Sequence, residues 1–287
     1  MRTTCTIALV GVALLLSTTA PVHSQAQARE EAAKKPPRPL GRLADGQPDV
    51  QGIWGATRAG SVSLTNPISA AQDFENVDLK LPSRIIDPPD GQVPYQPWAA
   101  AKRNQQALDY AWPTRPEHID TQHRCFLSGV PRLYTIVPTY KIVQTPGQVV
   151  FIWSEYHAYR VIPLDNRPHP PSHVKLWMGD ARGRWEGNTL IVDTSNVLGA
   201  RLTYTGDFYS DNAHVAERFT FPDADRMIYE ATVTDPTVFT RPWTMRVEHT
   251  RRANEEVWES ACVEGITSPD EFLIKTGAQP PAPRPAR

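Results

Sequence analysis

Between Trp177 and Thr194 the chain reads Trp-Met-Gly-Asp-Ala-Arg-Gly-Arg-Trp-Glu-Gly-Asn-Thr-Leu-Ile-Val-Asp-Thr, and a β-hairpin is the structure that pattern specifies. Gly187-Asn188 is a two-residue hairpin loop signal between two runs with strand alternation. The loop sets the register: Glu186 faces Thr189, Trp185 faces Leu190, Arg184 faces Ile191 and Arg182 faces Asp193. Alternation then puts Trp185, Leu190 and Val192 on a core face. Arg182, Arg184, Glu186, Thr189 and Asp193, with Ile191, share the other.

The same period of two governs the chain from Leu133 to Cys262. Tyr140–Gln144 and Gln148–Pro163 flank the turn Thr145-Pro146-Gly147. After the hairpin come Ala213–Phe221, Arg226–Thr234, Trp243–Arg251 and Val257–Cys262. Strands at short spacing without intervening helices make an antiparallel meander. Eight or more in one domain must hide their edges, so the expected fold is mainly β, a barrel or strongly curled sheet with one or two peripheral helices. A β-sandwich is the alternative.

From Gly41 to about Arg124, scattered prolines leave room for few strands. A helix is expected from Pro97, with Trp98, Ala101, Leu108 and Trp112 near helical spacing and Pro113 ending it, lying on the sheet as a lid or plug. Ser268-Pro269-Asp270-Glu271 marks a second, short helix start. Residues 29–40 and 277–287 read as solvated linker and tail around a single domain at 41–276.

Residues 1–28 read as a signal peptide: Arg2, the ten apolar-core residues Ile7–Leu16, and a cleavage site after Ser24 or Ala28. Ten residues of helix cover only about 15 Å, half a bilayer core, so a membrane anchor is the weaker reading. The expected location is periplasmic or secreted. Cys125 and Cys262 then remain, and one disulfide is the simplest use of them in an oxidising compartment. A net charge of −1, from 30 basic and 31 acidic residues, gives no reason to expect nucleic acid or an anionic membrane as partner.

Trp177 to Thr194, followed by His214-Val-Ala-Glu-Arg-Phe219, Asp235-Pro236 and Arg241-Pro-Trp243, resembles a large, mainly uncharacterised family of exported bacterial proteins. The resemblance covers about Cys125 to Gly265. It implies a lipocalin-like β fold and brings no established activity with it. Where that family often reads Gly-Asp-Ser, this chain has Gly179-Asp180-Ala181.

Three stretches could carry chemistry. In Phe151 to Arg160, read as one strand, Trp153, Glu155, His157 and Tyr159 share a face, and a carboxylate two residues from an imidazole suits proton transfer. In Ala213 to Phe221, Glu217 falls on the apolar face and His214 on the other. A lone inward carboxylate is costly, so Glu217 either pairs with an arginine, Arg160 or Arg218, or is a poised acid. In the loop Arg160 to His173, His169 and His173 with Asp165 and Asp180 could ligate a metal, but Pro170 and Pro171 rule out the helical spacing that would make the pair informative. No nucleophile elbow, phosphate loop or nicotinamide fingerprint is present.

The expected function is metal-independent, cofactor-free acid–base chemistry (a lyase, isomerase or hydrolase) on a small apolar molecule held in the barrel. Glu155 or His214 would be the base and Glu217 the acid. Arg160, Arg218, Trp153 and Tyr159 would bind substrate. The alternative is a carrier whose eight tryptophans, nine tyrosines and eight phenylalanines line an apolar cavity.

Overall fold

A computed structural model describes residues 36–57, 60, 63–65, 81–111, 113–136, 139–154 and 158–259. The expected signal peptide at 1–28, Glu155 and His157, Cys262, the helix expected from Ser268 and the expected 277–287 tail lie outside the described residues. The chain divides into units at residues 1–37 and 38–287, and every element below belongs to the second.

Among the described residues, ten antiparallel strands form one nearly closed, lipocalin-like barrel. The expected hairpin is β6 (Asp180–Glu186) and β7 (Thr189–Ser195), paired Glu186↔Thr189, Trp185↔Leu190 and Arg182↔Asp193. Gly187 takes φ 61°, the left-handed value its turn requires. The meander continues through β8 (His214–Thr220), β9 (Arg226–Thr234) and β10 (Trp243–Arg251). A second meander comprises β3 (Tyr140–Thr145), β4 (Gln148–Trp153) and β5 (Tyr159–Pro163).

Three expectations need correction. First, Gln148–Pro163 is two strands, with Ile152 pairing Tyr159 and Phe151 pairing Arg160 across a reversal. Trp153 therefore points inward and Tyr159 outward, 67 % exposed, instead of sharing a face. Second, the irregular N-terminal part supplies the strand that joins the two meanders: β1 (Gly52–Ala56) lies between β3 and β10. A short β2 (Ile85–Asp87) adds to β10. Third, Val257 to Glu259 is not strand.

The ends of the strand path, β5 and β6, meet side chain to side chain. A Cβ added at Gly183 would stand 2.6 Å from Ile162 Cγ2 and 3.0 Å from Leu164 Cδ2. Only a residue without a side chain lets the seam close this tightly.

Aromatic side chains pack together in the barrel interior. The four-residue helix α2 (Leu133–Ile136) is too short to be stable alone, and its Tyr134 enters the centre. The Tyr134 ring packs at 4.4 to 5.9 Å from those of Tyr140, Phe151, Trp153, Phe219 and Tyr229. These six aromatics pack against one another as part of the buried core.

Helix α1 (Pro97–Ala111) forms as expected but turns its apolar stripe outward. Trp98 and Leu108 are 50 % and 59 % exposed, Ala101 is exposed too, and Ala99 is the buried position. The helix is held by polar contacts: Trp98 donates to the Thr237 carbonyl, and Arg103 pairs with Asp207 at 3.2 Å. Among the described residues no helix is long and apolar enough to cross a membrane.

Candidate functional site

Strand alternation divides the polar residues of β5 to β8 between the barrel interior and its outer wall, and each side gathers one cluster.

Inside, Glu217 sits between Val215 and Phe219, fully buried, as its position on the apolar face requires. Its partner is Arg160 of β5, across the barrel. The guanidinium meets both carboxylate oxygens, Nη1 to Oε1 at 2.9 Å and Nη2 to Oε2 at 2.5 Å. The Tyr229 hydroxyl adds a bond to Oε1 at 2.9 Å, and Thr194 one to Oε2 at 2.6 Å. Arg160 also donates to the Tyr134 hydroxyl at 3.0 Å. Burial works against the charge on Arg160, but the attraction of Glu217 outweighs it and raises the guanidinium pKa above its ordinary value. Burial and the Glu217 charge push the Tyr229 hydroxyl well above its usual range, so it stays a donor. A carboxylate offers about four acceptor positions, and Glu217 has four donors. This cluster pins β5, β7, β8, β9 and α2 to one point; proton transfer at Glu217 would have to break it first.

Outside, β7 and β8 place Asp193 and His214 next to each other. His214 Nε2 lies 2.5 Å from Asp193 Oδ1, and His169 Nε2 lies 2.7 Å from Asp193 Oδ2. His169 Nδ1 reaches Asp180 Oδ2 at 2.6 Å, and Arg182 donates to Asp180 Oδ1 at 2.9 Å. Carboxylates only accept, so the Asp193 contact makes Nε2 of His214 the donor. Burial opposes the Asp193 charge, but the two histidine hydrogen bonds outweigh it and hold the carboxyl below its ordinary value. The His214 side chain is 41 % exposed, and Nε2 makes its only hydrogen bond among the described residues. Its Nδ1 is thus free to take a proton from outside, while Asp193 fixes the ring and balances the charge that follows.

The loop that carries His169 is fixed from several directions. Arg182 donates to the carbonyls of Arg167 and Pro168, and Asn196 to those of Pro170, Pro171 and Val174. Of the His169, His173, Asp165 and Asp180 set that the sequence disfavoured as a metal site, His169 meets Asp180, but Asp165 pairs with Arg167 at 3.1 Å and His173 is exposed.

Of the residues expected to act together, Glu217, Arg160 and Trp153 are interior, whereas His214, Arg218 and Tyr159 are on the outer wall. Arg218 therefore cannot serve Glu217. Sequence reasoning missed Asp193 as the partner of His214. The hairpin register contained that signal: it puts Asp193 outward on β7, beside the strand whose first residue is His214.

No family model, curated protein or solved structure matches the chain.

Proposed function

We propose that the protein is an exported acid–base enzyme whose base is His214, oriented by Asp193, acting on the outer wall of the barrel. The observation that carries this reading is the His169–Asp193–His214 array, with short hydrogen bonds at 2.5 and 2.7 Å and a half-exposed His214 ring whose Nδ1 makes no hydrogen bond among the described residues. Oriented imidazoles of this kind contribute roughly 10²- to 10⁴-fold to proton transfer. The reaction is one that begins with proton removal, from water in a hydrolase or from carbon in a lyase or isomerase. Glu217, the acid expected from sequence, becomes a structural residue. A carrier is disfavoured because the Tyr134 ring occupies the barrel centre. Export is supported by the N-terminal pattern. In an oxidising compartment Cys125 would pair with Cys262, since Cys5 falls in the segment read as removed; peptide mapping without reductant should recover the 125–262 pair.

The enzyme reading is tested with p-nitrophenyl acetate as probe, on the intact exported chain. His214→Gln should cut the protein-dependent rate by about 100-fold and Asp193→Asn by about tenfold or more, while His173→Gln, at an exposed control histidine, leaves it unchanged. Equal rates for wild type and His214→Gln would overturn the assignment.

A further inference from the structure

A second polar concentration lies away from His214, where the turn Gln122–Arg124 meets the segment around Arg201. Arg132 is neutralised there: it grips Asp120 through two bonds of 3.0 and 2.8 Å, both side chains fully buried. Two neighbouring arginines are not. Among the described residues, the Arg201 side chain donates only to the carbonyls of His118 and Glu117, at 3.2 and 3.4 Å. The Arg124 side chain makes no hydrogen bond among the described residues, and its buried Nε has no acceptor. Thr121 Oγ1 and Ser128 Oγ, on either side of Arg124 in sequence, are also buried without a partner.

Such an arrangement is unfavourable as it stands. An unsatisfied buried donor costs about 1–3 kcal/mol, and partly buried charges of one sign repel. Burial, together with Arg132 and Arg124, lowers the pKa of Arg201 even though Asp120 and Asp109 pull the other way. An anion would relieve both problems, and a planar carboxylate matches the guanidinium fork. The flanks are aromatic. The Arg124 guanidinium lies 5.2 Å over Phe126, which stacks on Trp177 at 5.4 Å and 18° and remains 42 % exposed.

We propose that Arg124 and Arg201 form a binding site for a small carboxylate carried on a flat apolar body, the ring packing against the Phe126–Trp177 stack. This site stands independently of the assignment of His214.

The test uses benzoate as probe and benzamide, its uncharged isostere, as comparison, with calorimetry and thermal unfolding of the intact chain. Benzoate should bind and raise Tm; benzamide should not. Arg124→Gln and Arg201→Gln should each weaken benzoate binding about tenfold or more, and His214→Gln should leave it intact. If Arg201→Gln does not fold, Arg201→Lys, which keeps the charge but loses the fork, carries the comparison with Arg124→Gln. Absence of benzoate binding, equal binding of benzamide, or full affinity in folded Arg124→Gln would each overturn the proposal.

Discussion

Glu217→Gln separates the structural from the catalytic reading of the interior cluster. The substitution keeps size and shape but removes the charge that four donors converge on. Arg160 would then be a buried cation without a counter-ion, with 2 % of its side chain exposed. Breaking one side of such a pair costs about 3–5 kcal/mol. At about 2–4 °C per kcal/mol for a domain of this size, Tm should fall by roughly 6–20 °C. Replacing both partners with apolar residues, as in Arg160→Met with Glu217→Leu, should recover at least half of the loss, because no charge is stranded. The assay is urea and thermal unfolding followed by tryptophan fluorescence, with rates on p-nitrophenyl acetate measured on the same samples. A Glu217→Gln protein as stable as wild type but inactive would refute the reasoning and return Glu217 to the reaction.

Three further outcomes follow from the same packing. Tyr134→Ala should destabilise by about 3–5 kcal/mol and open an apolar void that binds benzene, detectable as a benzene-dependent rise in Tm that wild type lacks. Gly183→Ala should cost about 1–3 kcal/mol by forcing apart the seam at Ile162 and Leu164, read as a lower urea midpoint. Burial, with Arg84 and Arg252 nearby, pushes the His249 pKa down to about 3 from 6.5. The unfolded chain then binds a proton that the folded one refuses, so stability should fall on the order of 1 kcal/mol per pH unit as pH drops from about 6.5 toward 3. His249→Phe should flatten that part of the urea-midpoint profile.

The barrel was legible in the sequence where period and turn chemistry agreed. Gly187-Asn188 set the β6–β7 register residue by residue, and Glu217 announced its need for a cation by its place between apolar neighbours. The reversal after Trp153 was not legible, because Phe151 to Arg160 holds no glycine or proline to mark a turn. That hid the inward position of Arg160 relative to Trp153. β1 was hidden for another reason: Gly52-Ile-Trp-Gly-Ala is short and glycine-flanked, and only its place between β3 and β10 makes it a strand. Nor could four residues around Tyr134 declare themselves a plug, since their helix exists only by tertiary packing. The outer array of His169, Asp193 and His214 joins a loop to two strands, and separations of 24 and 21 residues left it to the fold to bring them together.

Base catalysis by His214 turns on where one proton sits, so the most direct measurement is the nitrogen-15 NMR tautomer of His214 in the folded chain, with Asp193→Asn as comparison. Neutral His214 should carry its proton on Nε2, donated to Asp193, with Nδ1 unprotonated, and Asp193→Asn should lose this preference. A proton on Nδ1 in wild type, or a tautomer unaffected by Asp193→Asn, would contradict it.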